Sequence, residues 1–265
     1  MKRWLVWALA GVVVGAVPTA VAFAPASWLA GALADATDQR LLLADARGTI
    51  WQGSAVLVLT AGAGSRDASA LPGRLQWQLG LDGAALRLRA RQDCCINGEM
   101  SLRMVPGLGR LRVELPGRGP ASGPIGQWPA AWLVGLGTPW NTVQPSGTLQ
   151  LSSPGLVLEQ VQGRWRFSGS AQLDLAGFAS RLSTLDALGS YRLAISGDAA
   201  RGDATTLVLS TLEGALQLSG TGQFTASRFS FNGQANAAPG SEQALANLLN
   251  IIGRRRGASS IISIG

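Results

Sequence analysis

The only two cysteines, Cys94 and Cys95, stand next to each other, and the chain has no histidine. That limits the chemistry at once. A zinc-type site needs a spaced set of cysteine and histidine ligands, which a lone Cys-Cys step does not supply. In a strand, neighbouring side chains point to opposite faces, so one thiol is expected in the core and the other in solvent. A bridge between the two neighbours is a strained alternative. An intermolecular bridge is open where the compartment oxidises. General acid–base catalysis lacks its commonest side chain. Asp35, Asp38, Asp45, Asp67 and Asp82 are dispersed over expected turns and helix ends, and Asp93 and Glu99 flank the cysteines as solvated turn charges. No G-x-S-x-G elbow and no G-x-x-x-x-G-K-[ST] loop occurs. "SGTGQF" (219–224) is glycine-rich, but no helix follows it, so it reads as a β-turn. The expectation is a protein that is not an enzyme and holds no metal or cofactor.

Charge gives a second set of candidates. The formal net charge is +7, with arginines scattered along the chain. A nucleic-acid binder clusters such charge on one element, so no nucleic-acid partner is expected. Two groups stand apart: Lys2 and Arg3 at the start, and Arg254, Arg255 and Arg256 near the end. The second group follows an expected helix. One reading is that it complements the helix dipole in solvent; the other is a docking patch for an acidic partner.

The elements that must carry these residues begin with an apolar run. After Lys2 and Arg3, residues 4–23 carry no charge, a length that matches the bilayer core at helical rise. Trp4 and Trp7 fall where an interfacial aromatic belt would lie, Pro18 is tolerated in a membrane helix, and Phe23 ends the run. A cleaved leader competes, since Ala22-Phe23-Ala24 looks like A-x-A. Pro25 would then be the first mature residue, with no N–H and a fixed φ, so a retained anchor is favoured. Lys2 and Arg3 place the N-terminus in the cytoplasm. In a bacterium the rest is then periplasmic, and a single pass is expected.

Beyond Pro25 the chain writes one strand twice. "GSAVLVL" (53–59) returns as "GSAQLDL" (169–175), and Trp51/Phe167, Gly73/Gly189, Gly98/Gly214 and Leu102/Leu218 share the same offset. "PASWL" (25–29) is echoed by "PAAWL" (129–133). "LRLRAR" (86–91) and "RLRVEL" (110–115) alternate apolar with charged residues, as antiparallel strands with one buried and one wet face do. Short apolar helices are expected near 25–36, 126–137 and 241–253, the last with Ser241 as N-cap and Gly253 as stop. "SIISI" (260–264) is expected as a closing edge strand. Most of the nine tryptophans are expected in the core, with Trp28 an alternative membrane-surface residue. The fold class is therefore mainly β: a single N-terminal transmembrane helix, then a twisted antiparallel assembly of two similar units under short covering helices. The segments are 1–24 (cytoplasmic tip and anchor), 25–125 (first periplasmic β unit) and 126–265 (second unit with the C-terminal helix and tail strand).

The order of "PASWLAGALADATDQRLLLADARGTIWQGSAVLVL", "LPGRLQWQL", "PAAWLVGLGTPWNTVQPSGTLQLSS" and "LANLLNIIGRRRGASSIISI" resembles the type II secretion system protein N (general secretion pathway protein N) family over essentially the whole chain. The resemblance implies an accessory inner-membrane subunit of the machine that exports folded proteins across the outer membrane. Its periplasmic domain would contact other inner-membrane subunits and the outer-membrane secretin. A second resemblance, carried by the repeats and "FNGQANAAPGSEQALANLL", is to the AsmA-like envelope proteins, and implies a groove for lipid acyl chains. The two differ in what the apolar sheet face does. Helices fill it in a scaffold, whereas a lipid carrier leaves it open.

Overall fold

The structure, a computed structural model, describes residues 19–118, 123–161, 164–198, 204–225 and 228–265. The expected membrane segment falls mostly on residues 1–18, so Lys2, Arg3, Trp4, Trp7 and Pro18 lie outside the described residues. Among the described residues no helix is long and apolar enough to cross a membrane. Of the anchor residues only Phe23 is described; it is 75% exposed, just after a short helical stretch at 19–22.

Helix α1 (Ala26–Ala36) opens the domain, followed by β1 (Leu41–Gly48), β2 (Gln52–Thr60), β3 (Ala68–Ala70), β4 (Leu75–Asp82), β5 (Ala85–Arg91), β6 (Met100–Gly107) and β7 (Arg110–Pro116). After β8 (Gly126–Pro129) come a 3-10 segment (Ala130–Leu136), the single turn α2 (Trp140–Val143) and two long strands, β9 (Pro145–Val161) and β10 (Arg164–Ser180). The rest is β11 (Gly189–Gly197), β12 (Thr205–Glu213), β13 (Leu216–Phe224), β14 (Phe229–Ala237), α3 (Glu242–Ile252), β15 (Arg254–Arg256) and β16 (Ser259–Ile264). The strands join in one sheet in the order β1-β2-β4-β5-β6-β7-β9-β10-β11-β12-β13-β14-β16-β15, with β3 beside β2 and β8 beside β9. The two expected units are thus parts of one open sheet, and the β7–β9 pairing runs across the boundary between them.

The repeated motif holds matching places. "GSAVLVL" lies on β2, between β1 and β4. "GSAQLDL" lies on β10, between β9 and β11. Both motif alanines are buried, Ala55 and Ala171. Both motif glycines sit where a neighbour comes too close for a side chain. A Cβ on Gly53 would strike the Trp77 indole, and one on Gly169, at φ 101°, the Gly155 carbonyl.

Two helices cover the apolar face at separate places. α1 lays Ala26, Leu29, Ala30 and Leu33 on Leu43, Ala55 and Trp77. α3 inserts Leu245, Leu248 and Leu249, all at most 1% exposed, against Phe178, Leu188, Tyr191, Leu216 and Ala235. Their i, i+3, i+4 spacing places them on one helix face. Ser241 stands at the N-cap position, but its hydroxyl caps nothing; its carbonyl accepts from the Leu245 N–H at 3.1 Å. Inside this core the Tyr191 hydroxyl donates to the Leu216 carbonyl at 2.8 Å, and burial pushes the phenol's pKa up. Tyr191→Phe is expected to cost about 0.5–1.5 kcal/mol, the usual net worth of one hydrogen bond, measurable as a lower urea midpoint.

Several expectations are corrected. Residues 126–137 are not one helix: 126–129 pair with β9 as a strand before the 3-10 segment. The tail strand β16 is not the edge, because β15 folds back outside it. Of the described tryptophans only Trp77 is buried; Trp28 is 60% and Trp165 42% exposed. The physical reason is coverage. Trp77 lies under α1, whereas Trp165 lies on a strand outside both helix-covered cores.

Cys94 and Cys95 also depart from the strand reading. They lie in the turn between β5 and β6 and are joined to each other by a disulfide, with Cys95 buried and Cys94 exposed. The turn is held in place by the backbone around it. The Cys95 carbonyl accepts from the Gln127 N–H at 2.7 Å, the Asn97 N–H donates to the Ile125 carbonyl at 3.0 Å, and Ile96 bridges Gly126. From its other side Gln92 donates to the Pro72 carbonyl at 3.4 Å. The disulfide turn thus connects the 72–73 corner to β8.

Candidate docking surface

Register carries alternation from strand to strand, so the sheet has an apolar and a polar face. On the apolar face, direct neighbours across six strands are Leu81, Leu86, Met104, Val113, Leu158 and Phe167. A second row continues through Ala171, Ile195, Leu207, Gly222, Phe231 and Ile264. Neither row belongs to the cores under α1 and α3. Leu81 is 78% and Ile264 53% exposed. This is an apolar band far longer than the scattered exposed hydrophobics of an ordinary surface.

The polar face carries the arginines that look scattered in sequence. Gln52 and Ser54 of β2, Gln78 and Gln76 of β4, and Arg89 and Arg91 of β5 stand in register side by side. With Arg47 and Glu99 they line an open recess of about 550 Å³. Each acid here is shared by two arginines. Asp45 pairs with Arg47 at 2.8 Å and Arg74 at 2.7 Å. Asp82 pairs with Arg87 at 2.6 Å and Arg103 at 3.5 Å. Glu99 lies 3.1 Å from Arg91 and 3.7 Å from Arg89. Glu114 holds Arg112 at 2.7 Å and Arg103 at 3.4 Å. Seven arginines thus share four carboxylates, and the face keeps a surplus of positive charge. Arg87 and Arg103 even stand directly opposite each other, a like-charge pair that costs stability unless an anion bridges it.

Two of these acids titrate low. Hydrogen bonds from Arg74 and then Arg47 hold Asp45 below the usual carboxylate range, and those from Arg112 and then Arg103 do the same for Glu114. A depressed folded value has a definite sign. The pairs contribute in full above the unfolded carboxylate range near pH 4, and the contribution is lost as pH falls through the lower folded values. Arg112→Ala is expected to raise the Glu114 midpoint, readable by carboxyl NMR titration; an unmoved midpoint would remove Arg112 as the cause.

Geometry of this kind offers no nucleophile–base pair, and no group of three or more His, Cys, Asp or Glu side chains is placed to hold a metal among the described residues. What the sheet presents is surface. The family model for type II secretion system protein N matches residues 39–262.

The chain belongs to the type II secretion system protein N family.

No curated protein and no solved structure matches the chain significantly. The family match begins near β1 and ends within β16, so the whole sheet of this protein N chain lies inside it. Other candidate residues fall elsewhere. Arg254, Arg255 and Arg256 do not end a helix: α3 stops at Ile252, Gly253 is extended, and the three arginines form the exposed edge strand β15. The helix-dipole reading is corrected accordingly. Cys94 lies at the β5–β6 turn, on the same connection that carries Glu99 to Arg89 and Arg91. The arginine face itself escaped the sequence reading. Its signal was present in the alternation of "LRLRAR" and "RLRVEL"; what was missing was the register that places the two strands in one sheet with only β6 between them.

Proposed function

We propose that this protein N chain is a non-enzymatic accessory subunit of the type II secretion pathway that works through protein contacts of its sheet. Residues 1–24 serve as a single-pass inner-membrane anchor with Lys2 and Arg3 in the cytoplasm, and the bulk of the chain lies in the periplasm. The partners are other inner-membrane secretion subunits and the outer-membrane secretin. The observation that carries this reading is the match of the family over 39–262, which spans the domain whose polar face keeps an arginine surplus. Exposed Phe23 and Trp28, 75% and 60% open, suit a junction between anchor and domain at the membrane surface. Co-purification followed by mass spectrometry tests it. Secretion subunits in the eluate support the reading, and their absence from a stable, solubilised full-length chain counts against it.

A second reading is favoured by one specific observation. The apolar band is covered at its helix-packed ends and open between them, as an AsmA-like carrier of lipid acyl chains requires. The same eluate separates the two. Stoichiometric phospholipid, lost when Leu158 and Phe167 are both changed to serine, supports the lipid reading; a lipid-free chain that retains secretion subunits excludes it.

A further inference from the structure

We infer that the recess on the polar face of β2, β4 and β5 is a docking site for an extended, acidic segment of a partner protein, with carboxylates on alternate residues. The inference rests on the protein-contact reading above and gives that contact a place and a chemistry.

The first argument is charge. Glu99 is the only carboxylate lining the recess, against Arg47, Arg89 and Arg91. It is already divided between Arg89 and Arg91, while Asp45 is divided between Arg47 and Arg74. The local acids are therefore committed, and the guanidinium donors outnumber them. A guanidinium has donors and no acceptor, so the occupant must bring acceptors, and bring them with negative charge.

Spacing is the second argument. Arg87, Arg89 and Arg91 alternate along β5 on one face, and the strand rise sets them about 7 Å apart. An extended peptide repeats its side chains on one side with that same period. Carboxylates at its alternate positions would stand over successive arginines, where charge-assisted and bidentate pairing is strongest.

The glutamines supply the third argument. Gln78 is the direct neighbour of Arg89, and Gln76 of Arg91, one strand away. Each glutamine amide offers both a donor and an acceptor, which is what the peptide groups of a chain lying alongside β5 need. A bare phosphate or a lipid headgroup would engage the arginines and leave this amide column unused.

The test uses the full-length chain in detergent and two labelled ten-residue peptides of equal composition, alternating (Glu-Thr)5 and a block peptide with five glutamates followed by five threonines. Fluorescence anisotropy at low salt is expected to favour the alternating peptide. The combined change Arg89→Gln and Arg91→Gln is expected to weaken it about fivefold to tenfold, the worth of two partly exposed ion pairs. Glu99→Gln releases both arginines and is expected to tighten it. The triple Arg254→Gln, Arg255→Gln, Arg256→Gln is expected to leave it unchanged. Equal affinity for the two peptides, or a double variant that binds as the parent does, would overturn the proposal. So would phosphatidylglycerol vesicles that compete fully and show the same loss in the double variant, since the recess would then be a generic anion site. A chain that fails here but still co-purifies with secretion subunits loses this site alone, and the contact reading stands.

Discussion

Leu248→Ala is expected to destabilise the domain by about 2–5 kcal/mol, the range for emptying a fully buried leucine site. Leu248 is 1% exposed and sits between Leu245 and Leu249, at 0% and 1%. All three project from α3 into the core of Phe178, Leu188, Tyr191 and Leu216. The surroundings have little freedom to close on a cavity. The helix backbone is fixed beside β14 and β16, where the Ser260 hydroxyl, itself 0% exposed, donates to the Leu249 carbonyl at 2.5 Å. Ile251 on the same helix is 49% exposed and serves as the control, with an expected change within about 0.5 kcal/mol. Urea denaturation followed by tryptophan emission measures both. Equal small effects would mean that α3 does not cap the second half of the sheet.

The second large effect is expected at the repeated motif. Gly53→Val places two methyl-bearing carbons where Trp77 and the Arg47 carbonyl already stand. Trp77 cannot yield without leaving the core it shares with Ala26, Leu43 and Ala55. Overpacking of a dense core costs about 1–3 kcal/mol and occasionally more, and here the strain falls on the residue that seats α1. The expected readout is a lower thermal midpoint together with a red-shifted tryptophan emission as Trp77 becomes wet. Gly73, around which nothing lies within 4 Å, is not a neutral control because its φ is 75°. Gly31, in helix α1 with open space around its Cα, is the better one, and Gly31→Ala is expected to be neutral or mildly stabilising.

Much of the sheet was legible because period-two alternation depends only on local sequence. "LRLRAR" announces a strand with one wet face whatever its neighbours are. The place of that strand in the sheet is a non-local fact, and so is the consequence that Arg87 faces Arg103 and that Asp82 must serve both. The cysteines show the opposite failure. Alternation stops at "QDCCING", so the rule that sends neighbours to opposite faces no longer describes their backbone, and a turn brings the two sulfurs together. Helix α3 was found from its apolar spacing, but its end was not. Gly253 turns extended rather than capping, and the arginines after it pair with β16. Coverage is equally non-local. Nothing in "RWRF" shows that Trp165 lies outside the helix-covered cores. The duplicated "GSA" was the most informative stretch, since both copies specify a close strand approach and a buried alanine.

The central claim is that the two faces of the sheet have different work, with the polar face meeting secretion partners. The most direct measurement is photo-crosslinking in secreting cells, with the probe placed at Gln78 on the polar face and, separately, at Leu158 on the apolar band. The expected result is an adduct to another secretion subunit from Gln78 that disappears when Arg89 and Arg91 are glutamine. Adducts to secretion subunits from Leu158 alone, with none from Gln78, would contradict it.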